Sequence, residues 1–304
     1  MRLPDRKRER PDGHRDIRPA SAFRTPQEED SITMDKTNRA VALVTGASSG
    51  IGFAAAKALQ AAGFDVFGTS RHAAAEGPDG VDMLTCDVTD DASVATLVED
   101  VLAEAGRIDL LVNNAGVGLF GGAEESTLRQ AQALFDVNVF GVIRMTNAVL
   151  PIMRRQKKGR IVNLSSAQGF IPAPYFALYS ATKHAVEGYS QSLDHELRTL
   201  GIRVTLVEPA YTRTSFDGNL IKPDRWIDAY ESARKGMTLA VGEAIRNGDT
   251  PEIVAETIVK AALASEPKLR YPAGKLARQV SMLRRFVPAA AFDRSLRKML
   301  RLPV

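Results

Sequence analysis

The run Val41-Ala42-Leu43-Val44-Thr45-Gly46-Ala47-Ser48-Ser49-Gly50-Ile51-Gly52 decides the fold. Its first four residues are apolar without alternation, which suits a strand buried on both faces. Three glycines follow in the spacing G-x-x-x-G-x-G, and the alanine-rich stretch Ile51–Ala62 then shows helical periodicity. A strand that turns through glycines into a helix offers unpaired N–H groups, the positive end of the helix dipole and room for a pyrophosphate. Gly46, Ser48, Ser49, Gly50, Ile51 and Gly52 are therefore candidate dinucleotide contacts. A glycine trio by itself fits a plain strand–helix turn equally well. Its place after the first strand favours the nucleotide.

Working outward, β-rich runs recur at Ala40–Thr45, Asp65–Ser70, Val81–Cys86, Ile108–Asn113, Arg160–Ser165 and Ile202–Glu208, with Leu269–Pro272 as a last edge strand. Helical segments lie between most of them: Ile51–Ala62, Ala92–Ala105, Leu128–Arg155 and Leu178–Leu200. Such alternation predicts an α/β fold with a parallel sheet covered on both faces. Pro223–Gly248 reads as one or two helices with Trp226, Ile227, Tyr230 and Met237 on an apolar side. Thr250-Pro251 opens another, with Thr as cap and Pro at the first position. Ala73–Gly80 is a surface loop.

The second strand ends in Thr69-Ser70-Arg71, about 20 residues past the glycine loop, where an acid would hold the ribose hydroxyls of NAD. Arg71 can instead pair with a 2′-phosphate, so NADP(H) is expected, with NAD(H) as the alternative. A solvated strand-end arginine is the plainer reading.

The 304 residues are 44% hydrophobic and 25% charged, a globular composition. The single cysteine, Cys86, excludes an intrachain disulfide, and four histidines without ligand spacing leave no metal site expected. The longest uncharged run, Ile161–Thr182, contains Asn163, Ser165, Ser166, Gln168 and two prolines and cannot span a bilayer. Forty basic and 36 acidic side chains give a formal charge of +4, unevenly spread. Residues 266–304 hold ten basic and two acidic groups, a net of +8, while the remaining 265 carry a net of −4.

Residues 1–33, with eight Arg/Lys, seven Asp/Glu and four Pro, read as a disordered leader or as a start assigned upstream of Met34. They have neither the apolar centre of a secretory signal nor the low acidity of a mitochondrial presequence, which leaves the cytoplasm as the expected location. The organisation expected is leader 1–33, nucleotide-binding α/β domain 34–272, and basic amphipathic extension 273–304.

Several signatures fall in one order: Thr45-Gly46-Ala47-Ser48-Ser49-Gly50-Ile51-Gly52, Asp87-Val88, Asn113-Asn114-Ala115-Gly116, Asn138, Ser165-Ser166, Tyr179-x-x-x-Lys183 and Pro209. Over roughly Arg39 to Pro272 this set resembles the short-chain dehydrogenase/reductase family, in its single-domain branch. The resemblance implies a seven-stranded, doubly wound Rossmann-type sheet and cofactor contacts from Asp87 and Val88 at the adenine. It places Asn113 on the ribose side, with Ala115, Gly116 and Pro209 along the cofactor, and makes Asn114 a brace between strands. Thr214 would bond the nicotinamide carboxamide with help from Thr212. The family usually has glycine after the proline, where this chain has Ala210.

Tyr179 and Lys183, four apart on one helix, share a face. A free tyrosine has a pKa of about 10, and a nearby ammonium would favour the phenolate. Tyr179 then serves as general acid in carbonyl reduction and general base in alcohol oxidation, sharing with Lys183 a place against the cofactor. Ser166, at the carboxyl end of a strand, can hydrogen-bond the substrate oxygen, with Ser165 as the last strand residue. By resemblance, Asn138 disturbs its helix and holds a water that relays protons to Lys183. His184 is read as structural, and Asp194, His195 and Glu196 as helix-surface residues.

Gly169–Phe176, Tyr211 and Phe216 make the substrate side apolar, suiting a small-molecule alcohol or carbonyl such as a steroid, retinoid, lipid or aldehyde; they would equally suit a subunit interface. The tail repeats Leu276, Val280, Leu283 and Val287 at helical spacing among arginines. It reads as a packed lid or interface helix of a homo-oligomer, with peripheral contact to a membrane surface as the next choice. Nothing has the organisation of a nucleic-acid binder. The alternative to an alcohol/carbonyl oxidoreductase is a non-catalytic cofactor-binding redox sensor, which would not need the Ser–Tyr–Lys set. An extended-branch epimerase or dehydratase would need G-x-x-G-x-x-G.

Overall fold

Side chains of the first strand, β1 (Val41–Val44), divide between two apolar layers: Val41 and Leu43 enter one, Ala42 and Val44 the other. Both layers are covered by helices, so no position on the strand can be polar, which explains its unbroken apolar run. The structure, a computed structural model, describes residues 39–72 and 76–302. The leader expected at 1–33 lies outside the described residues, as does part of the Ala73–Gly80 loop.

Six further strands join β1: β2 (Asp65–Ser70), β3 (Asp82–Thr85), β4 (Leu110–Asn113), β5 (Gly159–Leu164), β6 (Ile202–Pro209) and β7 (Arg270–Ala273). All pair in parallel in the order β3-β2-β1-β4-β5-β6-β7, the doubly wound sheet expected. One face is covered by α2 (Asp91–Ala105), α4 (Gly141–Gln156) and α5 (Ala177–Leu197), through Val94, Leu97, Met145, Val149 and Leu193. On the other lie α1 (Gly50–Ala61) and α7 (Pro251–Leu263), where Ala55, Leu59, Val254 and Ile258 fill the layer. The chain leaves β1 towards β2 on one side and returns to β4 on the other. That reversal opens a crevice beyond the carboxyl ends of β1 and β4, where open α/β sheets bind ligands.

Four local expectations need correction. The single helix read over Leu128–Arg155 is α3 (Leu128–Phe135), a π turn at Asp136–Phe140, and α4. By length and composition Leu128–Gln156 could cross a membrane, but half of it is buried, with Met145, Val149 and Met153 in the core. Thr250 precedes α7, with Pro251 at the first position as expected, but its side chain makes no cap hydrogen bond. In the Pro223–Gly248 stretch the long helix, α6 (Glu231–Arg246), starts after Trp226. That indole is half exposed beneath the Arg234 guanidinium, while Met237 is buried.

The fourth is Asp194, read as a surface residue and found fully buried. Its carboxylate accepts from Arg198 at 2.6 Å, Arg203 at 2.9 Å and the Val204 N–H at 2.9 Å, tying α5 to β6. Burial alone would raise its pKa; those donors hold it below the usual carboxylate range. A surface reading of its sequence neighbourhood misses this because Arg203 arrives from the next strand.

The tail forms α8 (Gly274–Phe286) and α9 (Ala289–Met299), broken at Val287-Pro288. Gly274 and Ala277 bury α8 beside β7, and Leu276 and Leu283 of the expected stripe face outward. Just past α9, Leu300 is buried in a cluster that also holds Met237, Val241, Phe176 and Tyr179.

Candidate active site

Thr45 organises the crevice. Its hydroxyl accepts the N–H groups of Asn114 and Ala115, each at 3.0 Å, and so draws the end of β4 to the end of β1. The glycine loop starts there, with Gly46 at φ +67°, a left-handed conformation that a side chain would strain. At Gly52 a Cβ would stand 2.1 Å from the Gly46 carbonyl oxygen, so only glycine lets α1 seat this closely. Ser49 precedes α1 without capping it, and the first turn carries no acid. The helix therefore presents uncapped N–H groups and its positive end to the cleft.

That cleft has a volume of about 790 Å³, within the range of small-molecule sites. It runs from Ser48, Ser49, Arg71 and Asp87 past Ala115 and Gly116 to Ser166, Tyr179 and Phe216. The expected residues Gly46, Gly50, Ile51, Val88, Lys183, Pro209, Thr212 and Thr214 also line it. An elongated anionic ligand fits this wall: glycine backbone and helix dipole at its middle, Arg71 at one end. The residues present thus suit a dinucleotide. Asp87 is partly committed, since its Oδ1 accepts the Thr89 N–H at 2.9 Å and hydroxyl at 2.7 Å. Those bonds, with Arg71 nearby, hold its carboxyl below the ordinary range.

Of two consecutive asparagines, one departs from expectation. Asn113, expected at the ribose, is buried away from the cleft and donates to Asn163 at 2.8 Å and Thr146 at 3.3 Å. Successive strand residues face opposite ways, so Asn114 reaches the cleft. Its amide donates to the Thr45 and Gly46 carbonyls at 2.9 and 3.0 Å, the brace expected of it.

At the other end, α5 begins with Tyr179 in its first turn. Tyr179 is buried, with Phe216 at 5.9 Å and Phe176 at 6.3 Å between ring centroids. The Lys183 ammonium lies 5.6 Å from the centroid of the tyrosine ring and donates to the Leu164 carbonyl at 2.8 Å. Burial pulls its pKa down to about 8, with Glu187 opposing. The ammonium is thus easily discharged and strongly felt by a neighbouring phenol.

Asn138 sits in the π turn, where its Oδ1 accepts the Val117 N–H at 2.9 Å. Its Nδ2 donates to the Val117 carbonyl at 2.8 Å and to Thr182 at 3.2 Å. Both of its amide protons are engaged within the protein. Thr182 in turn donates to the Tyr179 carbonyl at 2.7 Å. Asn138 thus pins the first turn of α5 to the strand β4 exit.

Ser166 follows β5, whose ladder Ser165 extends by donating its N–H to Val207. The Ser166 oxygen accepts the Gln168 N–H at 3.1 Å, which aims its own proton elsewhere. Gln168, not singled out in the sequence, receives the Ser180 hydroxyl at 2.9 Å and so fixes the Ser166 loop to α5. Behind Lys183 lies a second unforeseen group. Arg270 bridges the buried carboxylates of Glu187 at 2.9 Å and Glu208 at 3.2 Å. Burial, then the Glu187 charge, raises the Glu208 carboxyl well above the carboxylate range, with Arg270 opposing. The backbone of Tyr175, at φ +60°, is strained just before α5. None of these has a local sequence signal; each depends on partners far along the chain.

Residues 40–225 match the model of the short chain dehydrogenase family. Among curated proteins, a 3-ketodihydrosphingosine reductase of Bacteroides thetaiotaomicron is 38% identical over 238 residues, covering 78% of this chain and 88% of the relative. A 17-beta-hydroxysteroid dehydrogenase type 1 of Mus musculus is 34% identical, covering 78% and 74%. Among solved structures, a short-chain dehydrogenase from Streptomyces avermitilis superposes with a TM-score of 0.74 at 36% identity, covering 86% of this chain and 97% of that one. One from Burkholderia phymatum in complex with NAD has a TM-score of 0.66 at 28% identity, covering 78% and 90%. A metagenomic short-chain oxidoreductase in complex with NADP has a TM-score of 0.60 at 29%, covering 78% and 97%.

Proposed function

The chain belongs to the short-chain dehydrogenase/reductase family, an oxidoreductase acting on CH–OH groups with a nicotinamide cofactor, and from that premise we propose an NADP(H)-dependent enzyme that interconverts an apolar alcohol and its carbonyl. The observation that carries the reading is one cleft lined by both Arg71 with the open α1 terminus and the group Ser166, Tyr179 and Lys183.

Ser48, Ser49 and the α1 N-terminus would hold the pyrophosphate, and Thr212 and Thr214 would flank the nicotinamide. Thr214 is the wall against Gly50, whose added Cβ would lie 3.3 Å from it. When bound, the dinucleotide supplies or accepts the hydride. In reduction, Tyr179 gives its phenolic proton to the carbonyl oxygen, and the Ser166 hydroxyl donates a hydrogen bond to the same oxygen as charge builds on it. In oxidation the steps reverse, and the Lys183 ammonium favours the phenolate that takes the alcohol proton. The position of Arg71 in the cleft wall supports NADP(H), since its guanidinium could pair with a 2′-phosphate and β2 ends without an acid to repel it.

Phe176, Phe216, Ile221 and Val241 in the cleft wall support a substrate with a long apolar body. Two relatives carry names for a ketone on a sphingoid chain and a hydroxyl on a steroid. A lipid-like or steroid-like carbonyl therefore leads the candidates. A panel of carbonyl compounds with NADPH and NADH tests this. Faster turnover of long-chain ketones or ketosteroids with NADPH is expected. Preference for NADH, or for short hydrophilic carbonyls, would contradict the reading.

A further inference from the structure

The outward face of α8 is apolar and largely open among the described residues. Met282 is 64% exposed, Leu283 50%, Phe286 72% and Leu276 37%. At 100° per residue these four fall on one side of the helix, opposite the buried Ala277, with Lys275, Arg278 and Arg285 among and beside them. The face is not a frayed end. Gly274 and Ala277 fix α8 at its start, and beyond α9 the buried Leu300 and an Arg301–Glu243 ion pair at 2.7 Å fix the segment at its finish.

Charge distinguishes the occupants such a face might take. From Lys275 to Arg301 there are eight basic side chains and one acid, Asp293, while the rest of the protein is net negative. A second copy placed face to face would bring two such cationic rims together, at an electrostatic cost. An anionic lipid surface meets the same rim with opposite charge and accepts the apolar side chains between its headgroups. Arg285 is disposed for that boundary: its guanidinium lies 5.5 Å from the centroid of the Phe286 ring. It thus tops an apolar ring, the arrangement of side chains that sit at headgroup depth. We propose that the α8 face docks the protein peripherally on an anionic bilayer, with Met282, Leu283 and Phe286 inserted and Arg278 and Arg285 on lipid phosphates.

Vesicle co-sedimentation of the full chain tests this without reference to turnover. Vesicles of phosphatidylcholine with about one-third phosphatidylglycerol should carry the protein down, phosphatidylcholine alone should not, and added salt should release it. The double variant Met282→Ser/Phe286→Ser and the double variant Arg278→Glu/Arg285→Glu should each lower partitioning about tenfold or more. All four positions are exposed, so neither change disturbs the core. A wild-type protein that stays in solution with both vesicle types overturns the proposal, as do variants that bind like wild type. A wild-type oligomer that Met282→Ser/Phe286→Ser breaks up, with vesicle binding unchanged, would also overturn it by making the face a contact between copies.

Discussion

At the nucleotide end of the cleft the wall is main chain: the Gly46–Gly52 turn, the uncapped start of α1 and the ends of β1, β2 and β4. At the substrate end it is side chain: Phe176, Phe216, Ile221 and Val241 on loops and on α6, backed by Leu300 from the tail. Backbone held by a parallel ladder has little freedom to move or to vary. Side chains on loops can be exchanged without touching the sheet. The first end therefore fixes what kind of cofactor is taken, and the second selects among substrates.

Substitutions can break that contrast. The largest effect is expected at Gly52→Ala, where the new methyl would collide with the Gly46 carbonyl. A loss of about 3 kcal/mol in stability, read by denaturant unfolding, should accompany loss of nucleotide binding. Next comes Arg71→Glu, which should raise the KM for NADPH roughly thirtyfold, about 2 kcal/mol, and leave NADH use nearly unchanged. At the substrate end, Phe216→Ala should raise the KM for an apolar carbonyl about tenfold with NADPH affinity unaltered and a smaller loss of stability than Gly52→Ala. Equal losses of stability in Gly52→Ala and Phe216→Ala would erase the distinction between the two ends.

The smallest effect concerns the carboxylates behind Lys183. The Glu208 carboxyl, raised by burial and by Glu187, keeps its proton in the folded protein where the unfolded chain releases it. The stability this contributes is lost as pH rises from the ordinary carboxylate range through the raised folded pKa. Glu208→Gln cannot ionise and escapes that loss. Its melting temperature relative to wild type should therefore climb by a few degrees between pH 6 and pH 9, as measured by thermal scans. A constant difference across that range would mean that Glu208 is ionised throughout.

The same contrast governs how much could be read in advance. Buried parallel strands are rich in apolar and β-branched residues, so β1, β2, β4, β5 and β6 are visible as short β-rich runs, and the glycine loop is visible because only glycine fits there. The group Ser166, Tyr179 and Lys183 could be named from its ordered spacing. Long-range side-chain bonds leave no such trace. The π turn exists because Asn138 reaches Val117, 21 residues away. Asp194 is buried because Arg203 comes to it from β6. Which of Asn113 and Asn114 faces the cleft depends on strand parity, which a motif does not carry. The outward face of α8 follows from Ala277 docking beside β7, which the amphipathic pattern alone could not distinguish from a lid packed within the chain.

The central claim is that Tyr179 moves the proton in a cleft that binds NADP(H). Turnover of an active carbonyl compound with NADPH should be compared between wild type and Tyr179→Phe, alongside NADPH binding measured by fluorescence. The account predicts a rate loss of about a thousandfold with nucleotide affinity kept within about twofold. Turnover by Tyr179→Phe at the wild-type rate would contradict it.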